Sequence, residues 1–170
     1  MPGPEKLPLD PIVEAIRKWR EHGWSDAAAG MAAVTSLMRA HQIVLARVER
    51  VLRPAGLTFA RYELLMLLVF SSRGTLPMSW ASARLQVHPT SVTNAVDRLE
   101  AAGLVERSPH PDDRRATLVT ITAHGRDAAD AATRALNAEV FTQPGLNPPD
   151  VERLVEVLAE LRRGAGDFDA

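Results

Sequence analysis

Cysteine is absent from this 170-residue chain. That excludes disulfides, thiol-based peroxide sensing and cysteine-ligated zinc. Aromatic residues are scarce, at 5% with a single tyrosine, so a core has to be built mainly from aliphatic side chains. Net charge is missing too: 20 basic against 21 acidic residues leave −1. A near-neutral chain is not one that coats nucleic acid indiscriminately. The apolar run LLMLLVF has seven residues, far short of the roughly 20 that cross a bilayer. The opening MPGPEKLPLD lacks the apolar core of a signal peptide, which gives the expectation of a cytoplasmic protein without a membrane partner. The histidines His22, His88, His110 and His124 show no metal-ligand spacing, so no metal or other cofactor is expected. No nucleophile elbow, phosphate loop or HExxH occurs, and the expectation is that the chain is not an enzyme. Asp112-Asp113 adjoins two arginines and reads as a charge-pairing element rather than an acid–base pair.

What is present is an ordinary globular composition, 46% apolar and 24% charged, in a length that suits one domain. Residues 1–25 read as a proline-rich arm and a short helix, IVEAIRKWRE, with Ile12, Ile16 and Trp19 on one side. Asp26 is expected to cap a long helix to about Arg53. Its stripe of Ala27, Met31, Val34, Met38, His41, Leu45, Val48 and Leu52 has the period of a helix packed lengthwise against others. Pro54 and Gly56 end it, and Thr58 caps a helix to Phe70. Pro77 leads into a short helix, Met78–Leu85. Late in the chain, Thr122 caps a helix to about Phe141. Asn147 with Pro148 then starts a last helix, expected to bury Val151, Leu154, Val155, Leu158 and Leu161.

Leu85–Thr122 carries most of the functional information. A helix is expected to start at Val87-His88 with Pro89 at its first position, where a missing N–H costs nothing. Gly103 terminates it. At about 100° per residue, Val92, Val96 and Leu99 share one face, while Thr90, Asn94 and Asp97 point the opposite way with Ser91, Thr93 and Arg98 on the flanks. Short hydrogen-bonding side chains approach base edges closely, and Asn pairs bidentately with adenine. Leu104–Arg107 and Ala116–Thr122 read as strands, the second with Val119 and Ile121 on one face. The turn between them, SPHPDDRR, carries Arg114 and Arg115 at its far end, suited to a narrow, electronegative minor groove. Asp113 is placed to hold Arg115. Because Leu76–Thr122 has as many acids as arginines, Arg39, Arg47, Arg50, Arg53, Arg61 and Arg73 are the further sources of positive potential.

Val92–Arg107 (VTNAVDRLEAAGLVER), the D-x-R at Asp113–Arg115 and the following LVTIT-AHGR resemble the MarR family of bacterial transcriptional regulators. The resemblance extends over residues 26–163. It implies a mainly α fold with a small β wing: a winged helix-turn-helix over 58–122, flanked by dimerisation helices over 26–53 and 123–163, with 164–170 as a tail. It implies a homodimer that binds double-stranded palindromic DNA, usually as a repressor, and releases it on meeting a small-molecule effector or an oxidant. The unpartnered terminal stripes agree with a dimer whose reading helices are roughly 34 Å apart.

The DNA-contacting set is then Pro89, Thr90, Ser91, Thr93, Asn94, Arg98, Arg114 and Arg115. By the resemblance, Arg115 is the minor-groove arginine and Asp97 the helix carboxylate that pairs with wing arginines, with Asp113 in support. A ligand cavity between the helical region and the winged helix is expected near Trp19, His41, Arg61, Tyr62, Glu63 and Met66. Taken alone, Trp19, Trp24 and His41 read as core or interface residues. Trp19 also resembles the urate-responsive subgroup, but Glu63 and Ala95 depart from its pattern, so urate is not implied. The alternative function is a winged-helix platform for protein partners without specific DNA binding.

Overall fold

A computed structural model describes residues 7–85, 89–113 and 116–169. Contacts divide the chain into two compact units, 1–47 and 48–170.

In the first unit, helix α1 spans Pro11–Glu21, with Asp10 as its N-cap accepting a hydrogen bond from the Ile12 N–H and Pro11 in the first turn. Ile12, Ile16 and Trp19 are the half-buried side, as their spacing predicts. Trp24 meets Trp19 edge-on, with ring centroids 5.2 Å apart. Helix α2, Ala28–Leu52, is preceded by a tight 3₁₀ turn at Ser25–Ala27. Asp26 is therefore not the helix cap: it lies inside that turn, whose N-cap is Trp24 without a side-chain bond. The long stripe of α2 is buried only at its last members, Val48 and Leu52, while Val34, Met38 and His41 are exposed.

The second unit is assembled around helix α3, Phe59–Phe70. Thr58 caps it as expected, its hydroxyl accepting from the Arg61 N–H. Leu64, Leu65 and Leu68 on α3 are almost wholly excluded from solvent. They join a core with Val92, Val96 and Leu99 of helix α5, Pro89–Ala101. Removing any such leucine side chain to Cβ costs about 2–5 kcal/mol. Strand β1, Thr75–Pro77, and helix α4, Met78–Leu85, lie between α3 and α5 in the chain. Strand β2 is Val105–Pro109 and strand β3 is Thr117–Ile121. They form a hairpin in which Arg107 pairs with Val119, and β1 pairs antiparallel on the other side of β3.

The sheet thus has three strands in the order β1-β3-β2, one more than the sequence pattern suggests. Both outer strands end in a proline, Pro77 and Pro109, and the central strand has none. Val119 and Ile121 face the core as their alternation predicts. Thr122 belongs to no strand: it caps helix α6, Ala123–Leu136, accepting from the Gly125 N–H at 2.9 Å. Gly125 sits where α6 crosses the start of β2. A Cβ there would lie 2.0 Å from the Leu104 carbonyl oxygen, so no larger residue fits without backbone movement.

Regular α6 stops at Leu136 and continues as a single π turn, Asn137–Phe141. Helix α7 is Pro148–Gly164, capped by Asn147 as expected. The expected burial of Val151, Leu154, Val155, Leu158 and Leu161 does not occur within the chain. No residue of α7 is buried, and Leu154, Val155 and Leu161 are exposed, because the stripe meets too little of its own chain. No helix among the described residues is long and apolar enough to cross a membrane.

Candidate nucleic-acid interface

Helix α5 is held by one face and open on the other. Val92, Val96 and Leu99 are buried to 1% exposure or less, and Thr90, Ser91, Thr93, Asn94, Asp97 and Arg98 all lie on the solvent side. Pro89 opens the helix, while Val87 and His88, where a start is expected, lie outside the described residues. At its other end Gly103 adopts a φ of 68°, the left-handed conformation in which an L side chain is strained. Its N–H bonds to the Glu100 carbonyl and that of Leu104 to the Leu99 carbonyl, both at 2.9 Å. This double closure ends the helix sharply and turns the chain straight into β2.

A side chain not singled out in the sequence ties the two elements together. Arg107, on β2, donates from Nη2 to Asp97 Oδ1 and from Nη1 to Glu100 Oε2, both at 2.5 Å. Nη2 also reaches the Thr93 carbonyl at 3.4 Å, and the Arg107 N–H donates to Glu100 Oε1 at 3.1 Å. Burial alone would lower the Arg107 pKa, but the hydrogen bonds to the two carboxylates outweigh it and the net shift is upward. The charge is therefore permanent. Among the described residues, the Asp97 partner is at the root of the wing. The signal was present in part: Asp97 and Glu100 are three apart and so share a helix face. Their common partner lies across a turn, where helical spacing gives no guide.

The wing turn is closed by its own backbone. The His110 N–H donates to the Ala116 carbonyl and the Ala116 N–H to the Asp113 carbonyl, each at 3.0 Å. The Asp112 N–H bonds to His110 Nδ1 at 3.2 Å. Arg114 and Arg115 lie outside the described residues, so their placement remains the sequence-based expectation.

The candidate ligand residues fall into different settings. Trp19 and His41 belong to the first unit, where Trp19 packs with Trp24 and His41 is exposed. In the second, Arg61 is tied to the Thr58 hydroxyl and the Gly56 carbonyl, which makes it part of the α3 cap. Tyr62 is buried with its hydroxyl 3.1 Å from Thr133 Oγ1, joining α3 to α6. Met66 lines a cavity of about 280 Å³ with Val69, Arg126 and Thr133. Glu63 lines a different one, of about 560 Å³, with Arg84, Leu85, Arg162 and Phe168. Burial raises the Glu63 pKa above its ordinary value. Glu63 and Met66 thus line separate cavities within the chain. Among the described residues no cluster of His, Asp or Glu is suited to a metal ion.

A sequence profile of the MarR family matches residues 55–116, which include α3, α4, α5 and β2. The fold is similar to that of Sco5413, a MarR family transcriptional regulator from Streptomyces coelicolor. The two are 51% identical with a TM-score of 0.77, over 84% of this chain and 99% of that one. It is also similar to Sco3205, a regulator from the same organism whose structure was solved in complex with DNA. There the identity is 27% and the TM-score 0.70, over 81% of this chain and 88% of the other. In sequence the chain is 30% identical to the transcriptional repressor IacR of Pseudomonas putida, over 72% of each protein.

Proposed function

Because this chain belongs to the MarR family of transcriptional regulators, we propose that it binds a pseudo-palindromic operator as a homodimer and represses the adjoining gene. The observation that carries this reading is the polar face of α5, open along Thr90, Ser91, Thr93, Asn94 and Arg98 above a sealed apolar face. In the proposal this face enters the major groove, where Asn94 and Thr90 meet base edges and Arg98 meets phosphate. Arg114 and Arg115 reach the neighbouring minor groove from the wing. A second copy covers the exposed apolar stripes of α2 and α7, since one reading helix alone offers half the contacts of a two-fold site.

The structure of Sco3205 with DNA supports the DNA partner, and the repressor name of IacR supports the sign of regulation. A small-molecule effector is part of the same reading, with the cavity beside Glu63 and Arg84 as its candidate seat. The proposed protein is cytoplasmic, has no catalytic role and is not switched by thiol oxidation, there being no thiol. The test is a footprint on the DNA upstream of the gene at low salt. A protected symmetric site is expected, with affinity falling steeply as salt rises because phosphate contacts release counterions. Absence of any protected site would overturn the operator reading.

A further inference from the structure

We propose that the second unit carries a docking surface for an acidic segment of another protein, formed by the end of α3, the turn after it and the outer face of α4. Phe70 closes α3 with 77% of its surface exposed, and Trp80 on α4 is 53% exposed. A cavity of about 460 Å³ lies against them, floored by Leu67 and Leu76 and bordered by Arg73 and Arg84. The Arg84 guanidinium lies 4.7 Å from the centre of the Trp80 ring.

The chemistry of this surface selects its partner. Two guanidinium groups border the cavity and no carboxylate lines it. Among the described residues neither Arg73 nor Arg84 is in an ion pair. An arginine stacked on an indole keeps its planar fork free for a carboxylate, which it binds through two parallel hydrogen bonds. Tryptophan, phenylalanine and arginine are also the side chains that dominate protein–protein contact energies when they surround a pocket. The cavity volume falls in the range of about 300–1,000 Å³ that accepts a compact guest. It suits one apolar or aromatic anchor with acidic residues on either side.

DNA is the less suitable occupant. Phosphate is bound by arginine, lysine, hydroxyl and backbone N–H groups, and gains nothing from two exposed rings. The topology also separates the two surfaces. Thr75, which lines the cavity, pairs with Thr120, towards the end of β3 that is remote from the wing turn. None of the outward residues of α5 lines it. A partner held here leaves the reading face open, so the surface serves a regulator already on its operator.

The experiment uses the full-length protein, free and on its operator duplex, with labelled short peptides rich in aspartate around one Phe, Leu or Trp. Matched peptides carry asparagine in place of aspartate. The expected result is saturable, salt-sensitive binding of the acidic peptides that is the same with and without DNA. That affinity should fall at least roughly tenfold in Trp80→Ala and in Arg84→Gln, as for residues at the centre of an interface. Phe70→Ser, at a largely exposed position, repeats the test without disturbing the core. Operator affinity should be unchanged in Trp80→Ala and in Phe70→Ser, neither of which lines the cavity proposed for the effector. Equal binding of acidic and amide peptides, or no binding of either, would overturn the proposal. So would loss of operator affinity in Trp80→Ala or in Phe70→Ser, which would assign the surface to DNA.

Discussion

Arg107 on β2 and Asp97 on α5 are ten positions apart in the chain and meet through a 2.5 Å charge-assisted hydrogen bond. With Glu100 as second partner, one guanidinium ties the root of the wing to the solvent-facing side of α5 near its C-terminal end. The angle between α5 and β2 is thus fixed by this side-chain tie as well as by the Gly103 turn. Replacing Arg107 with Met should cost about 1 kcal/mol of stability, since both partners are largely solvated, and lower Tm by roughly 2–4 °C. Operator affinity should fall further, by roughly tenfold or about 1.4 kcal/mol, because the helix and wing lose their common reference. Lys should recover little, as one ammonium cannot reproduce the fork. Thermal melts and operator titrations on the same preparations separate the two effects, and equal affinity in parent and Met variant would refute the idea.

The two reading elements should fail in different ways. Asn94→Ala should cost about 1–3 kcal/mol on the operator and relax base preference at one position per half-site. Arg115→Ala, in the wing, should reduce the salt slope by about one and remove any preference for A·T pairs at the flanks. Binding-site selection on each variant provides the check. Parental flank preference in Arg115→Ala would show that the wing is only a solvated hairpin.

Gly125 should tolerate no side chain. Its missing Cβ is replaced in space by the Leu104 carbonyl oxygen and, at 2.9 Å, by Cγ1 of Ile121. Gly125→Ala must push α6 away from the sheet and should destabilise by about 1–3 kcal/mol, the usual cost of overpacking. Denaturant unfolding that gives an unchanged midpoint would contradict the close crossing of helix and strand.

Glu63 should make stability depend on pH in the direction opposite to a paired carboxylate. Its folded pKa is raised above 4.5 by burial, so the native state keeps this proton to higher pH than the unfolded chain. Stability is lost as pH climbs from about the unfolded value through the raised one, and the penalty is complete above both. Glu63→Gln should therefore be more stable than the parent at neutral pH, and the gain should shrink as pH falls towards 4.5. Melting both proteins across that interval gives the test; a difference that does not vary with pH would exclude the titration.

Much of this arrangement is legible in the sequence because it is local. The ends of α5 follow from Pro89 and Gly103, its two faces from helical spacing, and the caps of α3, α6 and α7 from Thr58, Thr122 and Asn147. Strand β1 is not legible, since three residues ending in proline have no periodicity and owe their extension to pairing with β3. The Arg107 bridge is hidden for a related reason: its partners are near in sequence, but a turn stands between them. The stripe of α7 shows the opposite limit. Its helical spacing is read correctly, yet periodicity identifies an apolar face without saying whether the same chain covers it.

The prolines that end both outer strands have a consequence for how copies of this chain can meet. Pro77 and Pro109 each lack the N–H that a further strand would need, and β1 offers only three residues to pair with. Neither margin of the sheet is a template for edge-to-edge growth, even at the high local concentration of several copies gathered along one stretch of DNA. That leaves side-chain surfaces, such as the exposed apolar stripes of α2 and α7, as the places where a second copy can be held.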